Sequence, residues 1–553
     1  MELQTLFPTS FGEEGTGREG WSKGSQMLLG NLFFLAQNHT RKWKNHPRFG
    51  SDAKIMGHGC ILKHMRPRRY SSKNFGASIS CSTGVKEDSF VPPPTQLADA
   101  KVIYSVAPSM GHNQESHPES NFRVPAIVNA LEKMELTPKF RGSEMIELQN
   151  FRPASVDDVA SVHARAYLSG LEKAMDQASE QGIIFIDGSG PTYATSTTFQ
   201  ESLIAAGAGI SLVDSVAAAS KIRRDPPTGF ALIRPPGHHA VPKGPMGFCV
   251  FGNVAIAARY AQRVHGLKRV FIIDFDVHHG NGTNDAFYDD PDIFFLSTHQ
   301  VSHDLVGHTI FTVDYIGRDG SYPGTGKIDE VGDGNGEGTT LNLPLPGGSG
   351  DVAMRTVFDE VILPCAQRFQ PDIILVSAGY DGHVLDPLAS LQFTTGTYYM
   401  LASNIKQLAK DICGGRCIFF LEGGYNLDSL SYSVGDSFRA LLGERSLAFE
   451  FDNPSILYEE PLTKVKQAIQ RVNSRAPSKY AYHSVYKLNT NVMREAAKHF
   501  LGKQDFSAFV NASCNDRSLN PMKNIFCCGV TEMVIVKPNS NVPQVKRVIG
   551  FLA

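Results

Sequence analysis

Two aspartates and two histidines follow an apolar run in residues 271–283, which read FIIDFDVHHGNGT. Asp276 and His278 are two positions apart, so on an extended segment their side chains leave on the same face. Asp381, in the stretch SAGYDGH, would supply a third ligand. Two carboxylates and one imidazole suit zinc, with manganese or iron as alternatives, and a fourth position stays open for water. These residues therefore predict a catalytic metal centre.

A second group of residues could move protons beside that metal. His238 and His239 are adjacent in RPPGHHA, and Tyr425 follows two glycines in LEGGYN. Asp274 would accept the Nδ1–H of His238 and keep that ring charged. Asn281, a neutral acceptor, would leave His239 easier to deprotonate, which makes His239 the better general base. The Tyr425 hydroxyl would donate a hydrogen bond to a developing oxyanion.

The elements that must position these residues are short apolar strands. Candidate strands are KVIYSV, GIIFID, GFALIRP, RVFIIDFD, DIFFLST, DIILVSAG and RCIFFLEGG. They alternate with helical stretches such as FQESLIAAGAGISLVDSVAAA and NVAIAARYAQRV. This alternation predicts an α/β domain over residues 96–455, with a parallel sheet covered by helices on both faces. In such sheets, functional groups collect beyond the carboxyl ends of the strands.

Six motifs in this order give the chain a family resemblance: RPPGHHA, GFCVFGN, DFDVHHGNGT, YPGTG, SAGYDGH and LEGGYN. Together they resemble the zinc-dependent histone deacetylase family, and Asn281 favours its class II branch. The resemblance implies the arginase–deacetylase fold, a single domain with a central parallel sheet of about eight strands. It also implies one Zn²⁺ per chain on Asp276, His278 and Asp381.

The same resemblance implies a substrate channel and a second cation. The channel would be lined by Gly247, Phe248, Tyr322 and Leu388. A structural K⁺ would be held by Asp274, Asp276, His278, Ser297 and Thr298. The implied reaction is hydrolysis of the N-acetyl amide of acetyl-lysine in a histone or other protein, or of a small N-acetylated amine, with release of acetate. An apolar Leu388 at the rim argues against a dicationic substrate.

Residues 301–318, VSHDLVGHTIFTVDYIGR, interrupt the family pattern shortly before Tyr322. They form either a rim loop that narrows access to the channel or a retained intron. A blocked channel would leave a catalytically impaired binding protein, which is the first alternative to the enzyme.

Residues 491–553 resemble the second half of tRNA pseudouridine synthases. No stretch resembling the GRTD-type motif, which carries the catalytic aspartate of those enzymes, occurs in the chain. We therefore expect a small, non-catalytic α+β fragment, joined to the main domain by a linker over 456–490. RNA binding or modification through this fragment is the second alternative.

The overall composition is that of a soluble globular protein, with 42% hydrophobic and 20% charged residues. A net charge of −2 provides no basic field for nucleic acid, so direct nucleic-acid binding is not expected. No apolar run reaches the length of a membrane helix, and the nine cysteines lack a disulfide framework and read as reduced, mostly buried thiols. The oligomeric state is left open.

Residues 1–95 are predicted to be a disordered basic region. From Met27 to Val85 there are ten Lys or Arg residues against one acid, Asp52. A segment rich in Arg and Ser and poor in acids is typical of an organelle transit peptide. We expect a chloroplast location, preferred to the mitochondrion. A disordered tail or a nuclear address at RPRR, with a nuclear or cytoplasmic protein, is the alternative.

Overall fold

The computed structural model describes residues 91–149, 151–186, 191–301 and 322–475, and the strand segments 502–505, 522–525, 529–536 and 545–552. The chain divides into two units, Met1–Val85 and Lys86–Ala553. The first unit lies outside the described residues, and so does most of the predicted disordered region. The predicted insertion also lies outside them, apart from Val301.

The strands are short, as the apolar runs of the sequence predict. In chain order they are β1 (Val102–Ala107), β2 (Met145–Leu148), β3 (Ile184–Phe185), β4 (Tyr193–Ala194), β5 (Thr228–Ile233), β6 (Val270–Asp274), β7 (Ile293–Val301), β8 (Thr340–Pro346), β9 (Ile373–Ala378), β10 (Cys417–Leu421), β11 (Gly502–Asp505), β12 (Met522–Ile525), β13 (Gly529–Val536) and β14 (Val545–Leu552). Eight of them form one sheet in the order β2-β1-β5-β10-β9-β6-β7-β8. All neighbouring pairs in it are parallel, which confirms the predicted sheet.

The helices connect these strands. They are α1 (Pro94–Asp99), α2 (Arg123–Lys133), α3 (Pro138–Arg141), α4 (Val156–Val159), α5 (Arg165–Gln181), α6 (Thr198–Ile222), α7 (Asn253–His265), α8 (Asn281–Phe287), α9 (Asp351–Val357), α10 (Leu363–Phe369), α11 (Thr395–Cys413), α12 (Leu427–Leu442), α13 (Ala448–Phe451) and α14 (Leu462–Arg475). A π-helical segment, Phe358–Ile362, joins α9 to α10. Helices therefore alternate with the strands of the sheet, as the fold class requires.

Each face of the sheet has its own apolar core. On β1, Val102 and Tyr104 contribute to a core with α2, α11 and α12, whereas Ile103 belongs to the opposite core with α5, α6 and α7. Successive strand residues point to opposite faces, so a strand buried on both sides must be apolar throughout. The described cysteines are free and buried, as predicted: Cys249, Cys365, Cys413 and Cys417.

The apolar-run pattern mispredicts three strands: β3, which lies outside the main sheet, and the two edge strands β2 and β8. GIIFID contributes only β3, which pairs with β4 outside the main sheet. Its Ile183 and Phe185 are exposed, so the run is not a buried strand. The two edge strands β2 and β8 were not predicted. Their sequences, MIEL and TLNLPLP, are short or interrupted by polar residues and proline, which only edge strands tolerate.

The prediction that no apolar segment reaches the length of a membrane helix is wrong for α6. It is the one helix among the described residues that has the length and composition to span a bilayer. However, 83% of its most apolar window is buried inside the protein. It packs on β1 and β5, and a core helix of this kind passes the same compositional test.

The predicted linker over 456–490 is wrong for its first part. Val465, Ile469 and Val472 of α14 are buried in the core that also contains residues of α2, α11 and α12. Ahead of the helix, the Glu460 carboxylate accepts the backbone N–H groups of Gly350, Val352 and Ala353. Val465, Ile469 and Val472 recur at helical spacing (i, i+4, i+7), so they form one apolar face that packs α14 against the domain. The packed domain therefore extends to residue 475.

Candidate active site

The predicted chemical groups converge at the carboxyl edge of the sheet. The four strands that precede them, β5, β10, β9 and β6, are consecutive neighbours in the middle of the sheet. Parallel strands end at the same edge, so residues that are far apart in the chain meet there. The sheet order therefore assembles one site from His238, His239, Asp276, Asp381 and Tyr425.

The three predicted metal ligands form one cluster. The ligand atoms of Asp276, His278 and Asp381 all lie within 4.8 Å of one another. The Nδ1 atom of His278 is 3.2 Å from Asp276 Oδ1 and 3.2 Å from Asp381 Oδ2. The sequence placed Asp276 and His278 on an extended segment, but β6 ends at Asp274 and both residues follow it in a bend. The bend keeps their ligand atoms together although the strand has ended.

Backbone groups hold the two carboxylates in place. The N–H of Gly423 donates to Asp276 Oδ2 at 2.8 Å, and the N–H of Val277 donates to Asp381 Oδ1 at 3.0 Å. Glycine is required around them, since a Cβ at Gly379 would lie 2.1 Å from Asp276 Oδ2 and one at Gly423 would lie 2.1 Å from Asp381 Oδ2. In each carboxylate the oxygen that does not accept the N–H faces His278.

Charge crowding in this cluster favours a cation. Burial and, after it, the negative charge of the neighbouring Asp276 raise the pKa of Asp381 to about 7. Burial opposes ionisation of Asp276 too, but the charges of His238 and His278 outweigh it and lower its pKa. Two buried carboxylates are costly unless a positive charge compensates them. The donor set, two carboxylate oxygens and one imidazole nitrogen, fits a zinc ion with an open position.

The adjacent histidines have different partners. The Nδ1 atom of His238 is 3.1 Å from Asp274 Oδ2, and its Nε2 atom is 3.7 Å from Asp276 Oδ1. His239 instead donates through Nδ1 to the Asn281 Oδ1 atom at 2.8 Å. Burial by itself would lower the pKa of His238, but Asp276 and Asp274 raise it well above its usual value. Burial and the charged His238 hold the pKa of His239 well below it.

Tyr425 lies on the loop that follows β10. Its backbone N–H donates to Asp386 Oδ2 at 2.7 Å, and the Arg123 guanidinium lies 5.1 Å from its ring centre. Its ring meets the edge of Phe248 at 5.7 Å. Burial, reinforced by the charge of Asp381, raises the pKa of the Tyr425 hydroxyl well above its usual value. The hydroxyl therefore keeps its proton and remains a hydrogen-bond donor.

The predicted channel residues lie next to His239 or next to the loop that carries Tyr425. Gly247 has φ +54°, and a Cβ there would lie 2.5 Å from the His239 ring, so only glycine fits. Phe248 follows with φ 69° and faces Tyr425. The Tyr322 ring meets His239 edge-on at 5.0 Å, and no described residue bonds its buried hydroxyl. Leu388 is half-buried, and its N–H donates to the Asp386 carboxylate that also holds Tyr425.

Two of the residues predicted to bind K⁺, Ser297 and Thr298, lie on β7 beside Asp274. Ser297 on β7 is in register with Asp274 on β6, and its hydroxyl hydrogen-bonds to His299 Nδ1 at 2.9 Å. The Thr298 hydroxyl points to the backbone oxygen of Asp274 at 3.5 Å. The structure thus brings Ser297, Thr298 and Asp274 together beside Asp276.

Three residues of the site are not predicted from the sequence: Glu422, Asp386 and Arg123. Glu422 is buried behind His238, Asp386 holds the Tyr425 loop, and Arg123 donates to the backbone oxygens of Glu422 and Gly424. A signal for Glu422 was present, because a carboxylate at the end of an apolar strand is costly to bury. Arg123 gave no such signal, since its partners lie about three hundred positions away along the chain.

Comparison with known proteins identifies the family. A profile of the histone deacetylase domain matches residues 117–441. "Histone deacetylase 14, chloroplastic" of Arabidopsis thaliana is 70% identical over 422 residues, which cover 76% of this chain and 96% of that protein. "Histone deacetylase 10, chloroplastic" of Oryza sativa subsp. japonica is 61% identical over 456 residues, covering 82% of this chain and 98% of that protein.

A solved structure agrees with the fold. The crystal structure of the HDA15 HD domain superposes with a TM-score of 0.55 at 31% sequence identity. The match covers 68% of this chain and 95% of that one. The parallel sheet, the converging site residues and these similarities lead to one conclusion: the chain belongs to the histone deacetylase family.

Proposed function

We propose that this protein is a zinc-dependent deacetylase that hydrolyses the N-acetyl amide of acetyl-lysine in proteins or of a small N-acetylated amine. The observation that carries the proposal is the convergence of Asp276, His278 and Asp381 with His239 and Tyr425 at one edge of the sheet. An amide is a poor electrophile, so its hydrolysis needs a polarised carbonyl, an activated water and a proton for the leaving amine.

Asp276, His278 and Asp381 would hold the zinc ion. When bound, zinc would polarise the acetyl carbonyl and increase the acidity of a water molecule. The protein supplies the remaining steps. His239 is neutral because its pKa is low, and its Nδ1–H is engaged by Asn281. Its Nε2 atom therefore presents a lone pair that can take the proton of the attacking water.

Two other side chains complete the proton and charge transfers. The Tyr425 hydroxyl stays protonated and would donate a hydrogen bond to the oxygen of the acetyl group as negative charge develops. His238, charged between Asp274 and Asp276, stabilises the negative site electrostatically. The proton taken by His239 would pass to the departing amine nitrogen. The products are acetate and a free amine.

The channel walls support a slender, apolar substrate stem. Tyr322 contacts His239, Phe248 contacts Tyr425, and the N–H of Leu388 donates to the Asp386 carboxylate that holds the Tyr425 loop. An acyl-lysine side chain or an N-acetylated arylamine meets this requirement, whereas a second cationic group would find no acidic partner in Leu388. We further propose that Asp274, Asp276, His278, Ser297 and Thr298 hold a structural K⁺.

We infer that the enzyme works in the chloroplast. The segment from Met27 to Val85 has the acid-poor composition of a transit peptide, and both plant relatives are named chloroplastic. Its substrates would then be acetylated organelle proteins or small N-acetylated amines. A fluorescent fusion of the full chain tests the location, and a purely nuclear signal contradicts it.

Turnover of an acetyl-lysine peptide and of N-acetylserotonin, measured side by side, tests the activity. Chelation should abolish acetate release, and added Zn²⁺ should restore it. Asp276→Asn should lose both metal and activity. The matched control is Asp351→Asn, because Asp351 accepts hydrogen bonds from Thr394 and Thr397 at the start of α11, outside the metal cluster. Activity that survives complete metal removal would refute the mechanism.

A further inference from the structure

Glu422 links three strands behind the site. It follows β10 directly and is fully buried. Its Oε2 atom accepts the backbone N–H of Gly237 at 2.6 Å and that of His238 at 3.1 Å. Its Oε1 atom accepts the Ser377 hydroxyl of β9 at 3.3 Å. One carboxylate therefore connects the end of β10 to the loop after β5 and to β9.

These bonds constrain the segment that carries the two histidines. On its other side Gly237 packs closely against the chain at the start of α7, since a Cβ there would lie 2.6 Å from the backbone nitrogen of Asn253 and 2.7 Å from the backbone oxygen of Phe251. The Gly237 carbonyl accepts the N–H of Ala240 at 3.0 Å, which closes a turn around His238 and His239. The backbone of this turn is thus held from both sides, and Glu422 forms one of them.

The imidazole of His238 depends on where that backbone lies. Its Nδ1 atom is held by Asp274 at 3.1 Å, and its Nε2 atom, at the far end of the ring, faces Asp276 at 3.7 Å. A displacement of the backbone N–H would rotate the ring about Asp274 and also move His239, whose ring centre is 4.0 Å away. Misplacement of a catalytic group by about 1 Å can cost on the order of 10²-fold in rate.

We propose that Glu422 is a positioning residue for deacetylation, whose side-chain length fixes the Gly237–His238 backbone and so sets the His238 and His239 rings relative to Asp276. The proposal rests on the proposed function of the histidine pair. Glu422 acts through its hydrogen bonds to the N–H groups of Gly237 and His238. In the motif LEGGYN, the acidic residue would thus position the two histidines.

Two other roles for Glu422 fit the structure less well. With His238 and Cys249 it forms a second cluster of donor atoms among the described residues. Those donors are already engaged, because Cys249 Sγ accepts the His239 N–H and His238 bonds to Asp274. A pure counter-charge role is also weak. Burial raises the pKa of Glu422 to about 7, so its negative charge is only partly present at neutral pH.

Two substitutions separate side-chain length from charge. Glu422→Gln keeps the length and an acceptor oxygen but removes the charge, and it should leave kcat within about threefold of wild type. Glu422→Asp keeps the charge but is one methylene too short to reach both N–H groups. It should lower kcat on the order of 10- to 100-fold with little change in KM. Both zinc-loaded proteins should retain about one metal per chain.

The matched control is Glu460, which also accepts three backbone N–H groups but does so at the start of α9. Glu460→Asp should lower the melting temperature without changing kcat or the pH profile. If Glu422→Asp behaves in the same way, the role of Glu422 is only structural and the proposal fails. It also fails if Glu422→Gln is as damaging as Glu422→Asp, because charge would then be the requirement.

A binding measurement keeps this test independent of the substrate. The affinity of a hydroxamate, which takes the open metal position and lies against the histidines, should fall for Glu422→Asp and stay close to wild type for Glu422→Gln. If the wild-type protein binds the hydroxamate but hydrolyses no acetyl amide, the proposed function fails while the positioning role stays measurable. Equal hydroxamate affinities in all three proteins would overturn the positioning role.

Discussion

The surroundings of His238 and those of His239 differ sharply although the two residues are adjacent. His238 lies between two carboxylates, Asp274 and Asp276. His239 lies against the Asn281 amide and meets the Tyr322 ring edge-on, and the charged His238 is adjacent to it. Both rings are buried, so desolvation penalises the charge of each. Only His238 has the negative neighbours that overcome this penalty.

This difference assigns the two roles. A general base must be neutral before it accepts a proton, and His239 meets that requirement. His238 is charged in the resting site and serves as an electrostatic stabiliser. Identical residue types in consecutive positions therefore perform different chemistry, because one partner is a carboxylate and the other an amide. The same contrast makes each role separately testable.

The largest expected effect is the loss of the base. His239→Ala should lower kcat by about 10²- to 10⁴-fold, the usual contribution of a general acid–base group. His238→Ala should be less damaging, because Tyr425 and the metal cluster remain in place. Steady-state kinetics on an acetyl-lysine peptide, with metal content measured for each variant, provides the comparison. A His238 variant that is worse than the His239 variant would reverse the assignment.

The next largest effect tests Tyr425, the proposed hydrogen-bond donor to the oxyanion. Tyr425→Phe should lower kcat on the order of 10²- to 10³-fold, as expected for one lost oxyanion donor. The Phe ring keeps the edge contact with Phe248, so melting temperature and metal content should not change. Full activity in this variant would mean that Tyr425 only packs against the channel wall.

Exchanging the hydrogen-bond partners of the two histidines should shift the pH dependence of kcat/KM. This effect is smaller than the loss of His239 or Tyr425. Asn281→Asp places a carboxylate on His239 Nδ1 and raises the pKa of that ring. Because the base acts in its neutral form, the acidic limb of kcat/KM should move to higher pH, by about one to two units. Activity then falls at low pH and recovers at high pH.

The companion variant provides the opposite sign. Asp274→Asn removes a carboxylate from His238 and lowers the pKa of that ring, so the limb on the alkaline side should move to lower pH. The acidic limb should stay in place. If both variants shift the same limb, the two histidines titrate as one unit and the contrast between them is lost.

The smallest expected effect on activity comes from the C-terminal residues. Truncation after residue 475 should leave kcat unchanged, because every proposed site residue precedes it. Truncation after residue 455 removes Val465, Ile469 and Val472 from the core, and each buried side chain of this kind contributes about 1.5–3 kcal/mol. Thermal unfolding should show the difference. If the protein that ends at residue 475 loses activity without unfolding, the residues after 475 contribute to activity.

The chain's local patterns determined a large part of this picture. Apolar runs of strand length predicted most strands of the central sheet, and the groups at their ends predicted the metal cluster. Both features depend on neighbouring residues, which a sequence displays directly. The edge strands β2 and β8 and the helix α14 were missed, because their patterns are short or mixed and their burial is set by what packs on them.

The tertiary structure alone decided which distant groups meet. The order β5-β10-β9-β6 places Glu422 behind His238 and Asp386 beside Tyr425, and it brings Arg123 to Gly424. Strand order results from packing across the whole domain, and no local spacing encodes it. The sequence by itself determined which chemical groups the site would contain. Tertiary packing determined their partners, and therefore which histidine is charged and which is the base.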